Sequence, residues 1–115
     1  MTAEKLVFRS IYVDRDVDEA LRAHAERIGA SKGKMFRTYL RTGMARSRGG
    51  LSGAVLPGNG SRLAARTVYL PAELDADLRS MAFDLHATEN DLVRAFLRIG
   101  MSALRVGINK APLGA

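Results

Sequence analysis

The chain has 115 residues, a formal net charge of +6 and a pI near 10.3, and 47% of its residues are hydrophobic. This is the size of one ordinary domain with a modest core, and its basic character favours a polyanionic partner. The absence of cysteine excludes disulfides and thiolate metal sites, and the two histidines, His24 and His86, lie far apart in the sequence, so we expect no metal and no cofactor.

The chain begins with a short segment, Met1–Val7, to which no function is assigned. It lacks the apolar core of a signal peptide, and no apolar run in the chain approaches the roughly 18 residues of a membrane helix. We therefore expect a cytoplasmic protein that makes no contact with membranes.

The same pattern occurs twice in the chain. Arg9–Met44 and Arg66–Met101 align without a gap at an offset of 57 residues, which pairs Tyr12 with Tyr69. Such a repeat predicts that the two copies fold alike and complete one another. Their charges differ, because residues 1–50 carry a net charge of +5 and the segment from Arg62 onward a net charge of +1.

Each copy opens with a short predicted strand, Phe8–Val13 or Ala65–Leu70, in which β-branched and aromatic residues alternate with others. Because successive side chains of a strand point to opposite faces, Ile11 and Val13 lie on an aliphatic face. Hydroxyl-bearing and aromatic residues lie on the other face. A lone strand leaves its backbone groups unpaired, so we expect the two strands to pair with each other.

Two helices separated by a tight turn are predicted after each strand. The first helix is entered at Asp14, a good N-cap residue, or at Pro71, whose fixed φ suits a first turn. Gly29 is predicted to end this helix in the left-handed conformation, and His86 occupies the matching place. The apolar stripes are Val17, Leu21, Ala25 and Ile28 in the first copy and Leu74, Leu78, Met81, Ala82 and Leu85 in the second.

The second helix of each copy begins at a hydroxyl residue, Ser31 or Thr88, which is its predicted N-cap. Gly43 and Gly100 lie inside the apolar pattern, where glycine costs about 1 kcal/mol relative to alanine, so we expect a close helix crossing there. The stripes are Met35, Phe36, Tyr39, Leu40 and Met44 in the first copy and Leu92, Val93, Phe96, Leu97 and Met101 in the second.

The predicted organisation is a first repeat at 1–46, a Gly/Ser-rich linker at 47–64, a second repeat at 65–105 and a tail at 106–115. The 16 residues Ser47–Arg62 reach up to roughly 50 Å when extended. A chain of this size has an expected radius of gyration of roughly 13 Å. Both repeats can therefore meet in one globular unit.

Strand, helix, tight turn and helix, present twice, resemble the ribbon-helix-helix family, which includes the Arc and CopG repressors. The resemblance rests on Tyr12 and Tyr69, the LPAELDADL segment at Leu70–Leu78 and the turn Gly29–Ser31, while His86 departs from the glycine pattern. It implies a mainly α fold with a short two-stranded antiparallel ribbon, a tandem ribbon-helix-helix (β-α-α twice) that forms an intramolecular pseudo-dimer. The single-chain form is similar to the TraY proteins of conjugative plasmids.

The resemblance also implies a function. In this family the ribbon enters the major groove of double-stranded DNA and the second helices hold phosphates, as groove size and helix N-terminal amides allow. The expected protein is a sequence-specific transcriptional regulator, a relaxosome accessory protein at a plasmid transfer origin, or both. Its expected partners are double-stranded DNA and either further copies on adjacent DNA sites or a relaxase.

Candidate site residues follow by position in the family pattern. Hydroxyls suit mixed bases, and Phe8 suits a thymine methyl. Strand alternation places Arg9 and Arg66 on the core-facing side of the strands. A long arginine side chain can swing outward from there to a phosphate. Glu89 and Asp91 stand where the first copy has lysines and are expected to weaken phosphate binding. The base-contacting candidates are Phe8, Ser10, Tyr12, Ala65, Thr67 and Tyr69, and the phosphate-contacting candidates are Arg9, Arg66, Ser31, Lys32, Gly33, Lys34, Thr88 and Asn90.

Other interpretations remain open. The strand face and the helix starts also fit an exposed surface with no ligand. An antitoxin-type repressor would need a partner-binding tail, for which only 106–115 is available, and a protein-interaction module would leave the basic Ser31–Lys34 segment unexplained. We expect no enzyme, because the carboxylates lie around predicted helix starts rather than in a catalytic cluster, and no small-molecule ligand.

Overall fold

A computed structural model describes residues 5–47 and 62–104. Within these two ranges the fold is mainly helical with one two-stranded antiparallel sheet. None of the described helices is long and apolar enough to span a bilayer. The predicted tail, the first four residues and most of the linker lie outside the described ranges. The elements are β1 (Leu6–Asp14), α1 (Arg15–Ile28), α2 (Lys32–Arg46), β2 (Leu63–Pro71), α3 (Ala72–Leu85) and α4 (Glu89–Ala103).

The sheet pairs the two copies of the repeat, as predicted. Ser10 faces Thr67, its own counterpart in the other copy. Both strands extend beyond the predicted bounds, so that β1 includes the end of the assigned leader and β2 the end of the assigned linker. The Arg15 N–H donates to the carbonyl of Arg62 at one end, and the Ala72 N–H donates to that of Lys5 at the other. Because backbone pairing needs no alternation of side chains, the alternating sequence pattern predicted strands that are too short.

The ends of the first helices follow the sequence with two corrections. Gly29 (φ 71) and His86 (φ 54) both adopt the left-handed conformation expected of them. Asp14 lies at the N-cap of α1, but its side chain makes no capping hydrogen bond. Pro71 ends β2 and precedes α3 rather than forming its first turn. The caps of the second helices are confirmed, since the hydroxyls of Ser31 and Thr88 accept main-chain N–H groups in the first turns of α2 and α4.

The core lies under the sheet, where α2 and α4 cross at the two predicted glycines. A Cβ on Gly43 would lie 2.6 Å from the carbonyl carbon of Phe96, and one on Gly100 would lie 2.8 Å from that of Tyr39. The crossing is therefore as close as expected, and it is reciprocal between the copies. The fully buried side chains around it include Tyr39, Leu40, Leu92, Phe96, Leu97 and Met101.

Candidate nucleic-acid interface

One face of the sheet is exposed and carries all six residues expected there. Phe8 and Tyr12 are each 56% exposed and Tyr69 is 53% exposed. Ser10, Thr67 and Ala65 are exposed beside them, while the residues of the opposite face are buried or half-buried. The outward orientation is as predicted from strand parity, and contact with bases remains a prediction. A ribbon of two strands has the width that the major groove of DNA admits.

The exposed face differs between its two ends. Phe8 and Tyr69 face each other in the ladder, and their ring centroids lie 5.3 Å apart with the planes tilted by 44°. At the other end Tyr12 faces Ala65. One end therefore offers a continuous aromatic surface and the other a single phenol with space beside it.

Arg9 and Arg66 do not swing outward as expected. Arg9 donates two hydrogen bonds to Asp75, at 2.9 and 2.6 Å, and Arg66 donates two to Asp18, at 3.1 and 2.7 Å. Both carboxylates are only 3% exposed, and a buried carboxylate without its partner is strongly destabilising. The guanidinium groups therefore stay inward, and each pair joins a strand of one copy to a helix of the other. Both arginines are therefore paired within the protein, and their contact with phosphate stays a prediction.

The start of α2 is basic and partly engaged. Lys32 donates to Asp18 at 2.6 Å, so this lysine is already paired within the protein. Burial opposes the ionised form of Asp18, but hydrogen bonds from Arg66 and Lys32 lower its pKa below the usual range. Gly33 and Lys34 are exposed at the same helix start. Of the predicted phosphate ligands in this segment, Lys34 is the cation most available to a partner.

The start of α4 carries the opposite charge at the corresponding place. Glu89 stands where Lys32 does in the first copy, and it lies near the buried Asp75. Burial raises the pKa of Glu89 to about 7, and the neighbouring Asp75 carboxylate adds to the shift. The hydrogen bond from Arg9 lowers the pKa of Asp75 to about 2. Glu89 is therefore partly protonated near neutral pH, which reduces the repulsion expected between this helix start and a phosphate.

Asn90, a predicted phosphate contact, binds the edge of the sheet through its side chain. Its carbonyl oxygen accepts the Tyr12 N–H at 2.9 Å, and its amide nitrogen donates to the Tyr12 carbonyl at 2.8 Å. The carboxamide thus pairs with one residue of β1 much as a neighbouring strand would. The Thr88 hydroxyl is also engaged, because it caps α4.

A cluster of ion pairs between α1 and α4 was missed by sequence reasoning. Asp14, which is 1% exposed, accepts from Arg94 at 2.7 Å and from Arg98 at 2.9 Å, and Arg98 also donates to Asp16 at 2.9 Å. The sequence indicated only carboxylates near a helix start. The available signal was the difference between the copies, since Pro71 occupies the position of Asp14 in the second copy.

Comparison with family models, curated proteins and solved structures gives no match. Function is therefore inferred from the surface itself. The ribbon face presents hydroxyls, aromatic rings and a methyl group in a line, with the exposed Lys34 at one flank and Glu89 at the other. Groups of these kinds bind base edges and backbone phosphates in a duplex.

Proposed function

We propose that the chain is a sequence-specific double-stranded DNA-binding protein of the ribbon-helix-helix type. The main support is the exposed face of the two-stranded sheet, whose opposite face is buried or half-buried. A surface with a phenol, two smaller hydroxyl groups and an aromatic pair has the donors, acceptors and apolar groups that read base edges. The basic character of the chain and the exposed Lys34 beside this face favour the phosphate backbone.

We further propose that the two copies stand in for the two subunits of a dimer. This is supported by contacts that occur twice with the copies exchanged. Gly43 packs on Phe96 as Gly100 packs on Tyr39. The same exchange relates the Arg9–Asp75 pair to the Arg66–Asp18 pair, and it places Ser10 opposite Thr67.

In this proposal the protein acts in the cytoplasm as a transcriptional regulator, as an accessory protein at a plasmid transfer origin, or as both. Its partners would be DNA together with further copies bound to adjacent sites or a relaxase. The ribbon would supply sequence preference, and the start of α2 would supply affinity that does not depend on sequence.

The proposal is tested by measuring binding to a selected site and to random duplex at two salt concentrations. Tyr12→Ala or Thr67→Ala should relax sequence preference by about 1–3 kcal/mol, because each removes a group on the reading face. Lys34→Ala should weaken binding to both duplexes alike and reduce the salt slope by about one. No binding at low salt, or equal effects of all three substitutions on both duplexes, would refute the proposed roles.

A further inference from the structure

Two grooves lie at the outer edges of the sheet, at corresponding places in the two copies. One, the Gly33 groove, lies between the start of α2 and β2 and has a volume of about 280 Å³. The other, the Asn90 groove, lies between the start of α4 and β1 and has a volume of about 250 Å³. Gly33 and Asn90 are counterparts in the repeat. This position carries a side chain in the Asn90 groove and none in the Gly33 groove. The Asn90 groove therefore shows which groups a side chain at this position binds.

In the Asn90 groove the protein supplies its own carboxamide, which pairs with both main-chain groups of Tyr12. Tyr12 and Phe8 are four residues apart in β1, so the pairs Tyr12–Ala65 and Phe8–Tyr69 belong to the same class of the antiparallel ladder. The Tyr69 N–H and carbonyl consequently point to the outer edge, as those of Tyr12 do. Within the described residues no side chain pairs with them, because Gly33 has none to offer.

The Gly33 groove also lacks the counterpart of a second contact, the ion pair between Arg94 and Asp14. Arg94 binds the buried carboxylate of Asp14 at 2.7 Å, but its counterpart Arg37 would have to bind Pro71, which has no carboxylate. Arg37 makes no ion pair or hydrogen bond within residues 5–47 and 62–104. Its Nη1 lies 3.4 Å from the position that a Cβ on Gly33 would take. The guanidinium therefore lines the groove, and it has no carboxylate partner among the described residues.

The remaining lining of the Gly33 groove fits a small organic anion. Val68 and Phe36 give it apolar walls. Lys32 and Arg66 also line it, and both donate to the single carboxylate of Asp18. With Arg37 counted, three cations and one anion surround the groove, so its net charge is positive.

We propose that the Gly33 groove binds a small molecule that carries both a carboxamide and a carboxylate. The carboxamide pairs with the main chain of Tyr69, the carboxylate with Arg37, and the carbon chain between them packs on Phe36. The ligand thus replaces the side chains of Asn90 and Asp14, which make the corresponding contacts on the other side of the molecule. This differs from the sequence expectation that no small molecule binds, and it does not depend on the proposed DNA-binding function.

The test is a titration of the ¹⁵N-labelled full chain with succinamate, which has one carboxamide and one carboxylate, followed by NMR without DNA. Saturable shifts are expected at the Tyr69 amide and the Arg37 Nε. Succinate and succinamide each lack one of the two groups and should bind roughly tenfold or more weakly, because a charge-assisted or paired hydrogen bond is lost. Equal shifts with succinate would reduce the site to a general anion contact and overturn the proposal, as would the absence of a shift at Tyr69.

Substitutions at position 33 provide the matched control. Gly33→Asn should occupy the Tyr69 edge with its own carboxamide and abolish succinamate binding, whereas Gly33→Ala adds a Cβ in ordinary contact and should retain it. Pro71→Asp should give Arg37 an internal carboxylate and weaken succinamate binding while leaving the weaker succinamide shifts in place. Wild-type binding by Gly33→Asn, in a variant whose core resonances are unchanged, would contradict the assignment.

Discussion

Gly43→Ala is expected to destabilise the protein by forcing α2 and α4 apart. The added Cβ would lie 2.6 Å from the carbonyl carbon and 2.8 Å from the Cα of Phe96. Carbon atoms in contact are separated by about 3.5–4.0 Å. The obstructing atoms belong to the backbone of a helix, so no rotamer change relieves the overlap. The helices must therefore separate by roughly 1 Å.

The cost of this separation follows from what is buried at the crossing. Tyr39, Leu40, Phe96 and Leu97 are fully buried there, and each contributes about 1.5–3 kcal/mol by its burial. A gap of up to 1 Å removes about a quarter to a half of a contact's energy. Alanine recovers about 1 kcal/mol through its higher helix propensity. The four residues together lose about 1.5–6 kcal/mol, so we expect a net loss of about 0.5–5 kcal/mol in the free energy of unfolding. This range includes the roughly 1–3 kcal/mol that is typical of overpacked cores.

The assay is urea denaturation followed by far-UV circular dichroism. Gly33→Ala is the control, because it makes the same chemical change on α2 where a Cβ meets no backbone atom, and it should stabilise by up to about 1 kcal/mol. Gly100→Ala should reproduce the loss, since it meets the Tyr39 backbone from the opposite side. A Gly43→Ala protein as stable as the wild type would show that the helices do not cross as described.

The remaining predictions concern mass, charge and pH. Light scattering without DNA should give a monomer at every dilution, and a constant dimeric mass would count against pairing within one chain. The DNA site should be non-palindromic, with stronger backbone protection beside Ser31–Lys34, and Glu89→Lys with Asp91→Lys should tighten binding and steepen its salt dependence. A symmetric hydroxyl-radical footprint unchanged by that double substitution would contradict this asymmetry. Because folding raises the pKa of Glu89 from 4.5 to about 7, its stabilising contribution is full below pH 4.5 and is lost as the pH rises to about 7. Glu89→Gln should abolish that decline in urea midpoints, and an unchanged slope would refute the assignment.

The sequence predicted those parts of the fold that depend on short-range pattern and on the repeat. The caps at Ser31 and Thr88 require only a hydroxyl-bearing residue before a helix. The helix end at Gly29 requires only a residue that can adopt the left-handed conformation. The pairing of β1 with β2 follows because each copy offers one unpaired strand. The glycine crossing was also predictable. Glycine inside an apolar helix stripe lowers helix stability, and a close contact between helix backbones is a reason for its presence there.

The choice of side-chain partners could not be predicted, because it depends on residues brought together from far apart in the chain. Arg9 is 66 residues from Asp75, and Asn90 is 78 residues from Tyr12. Parity showed that Arg9 starts on the core side but not that a buried carboxylate would hold it there. Sequence spacing likewise gave no indication that Asn90 would reach the edge of β1. Several of the expected phosphate ligands thus make internal contacts that only the tertiary structure reveals.

Both strands of the sheet come from one polypeptide, and this has a consequence for how the protein responds to its own abundance. A ribbon made from two separate chains exists only after they associate, so dilution removes it. Covalent connection replaces that encounter with an effective concentration that does not change on dilution. The exposed ribbon is then formed even when only a few molecules are present in a cell. Under the proposed function, occupancy of a single DNA site would rise with the first power of protein concentration. The response to expression would then be graded rather than a threshold.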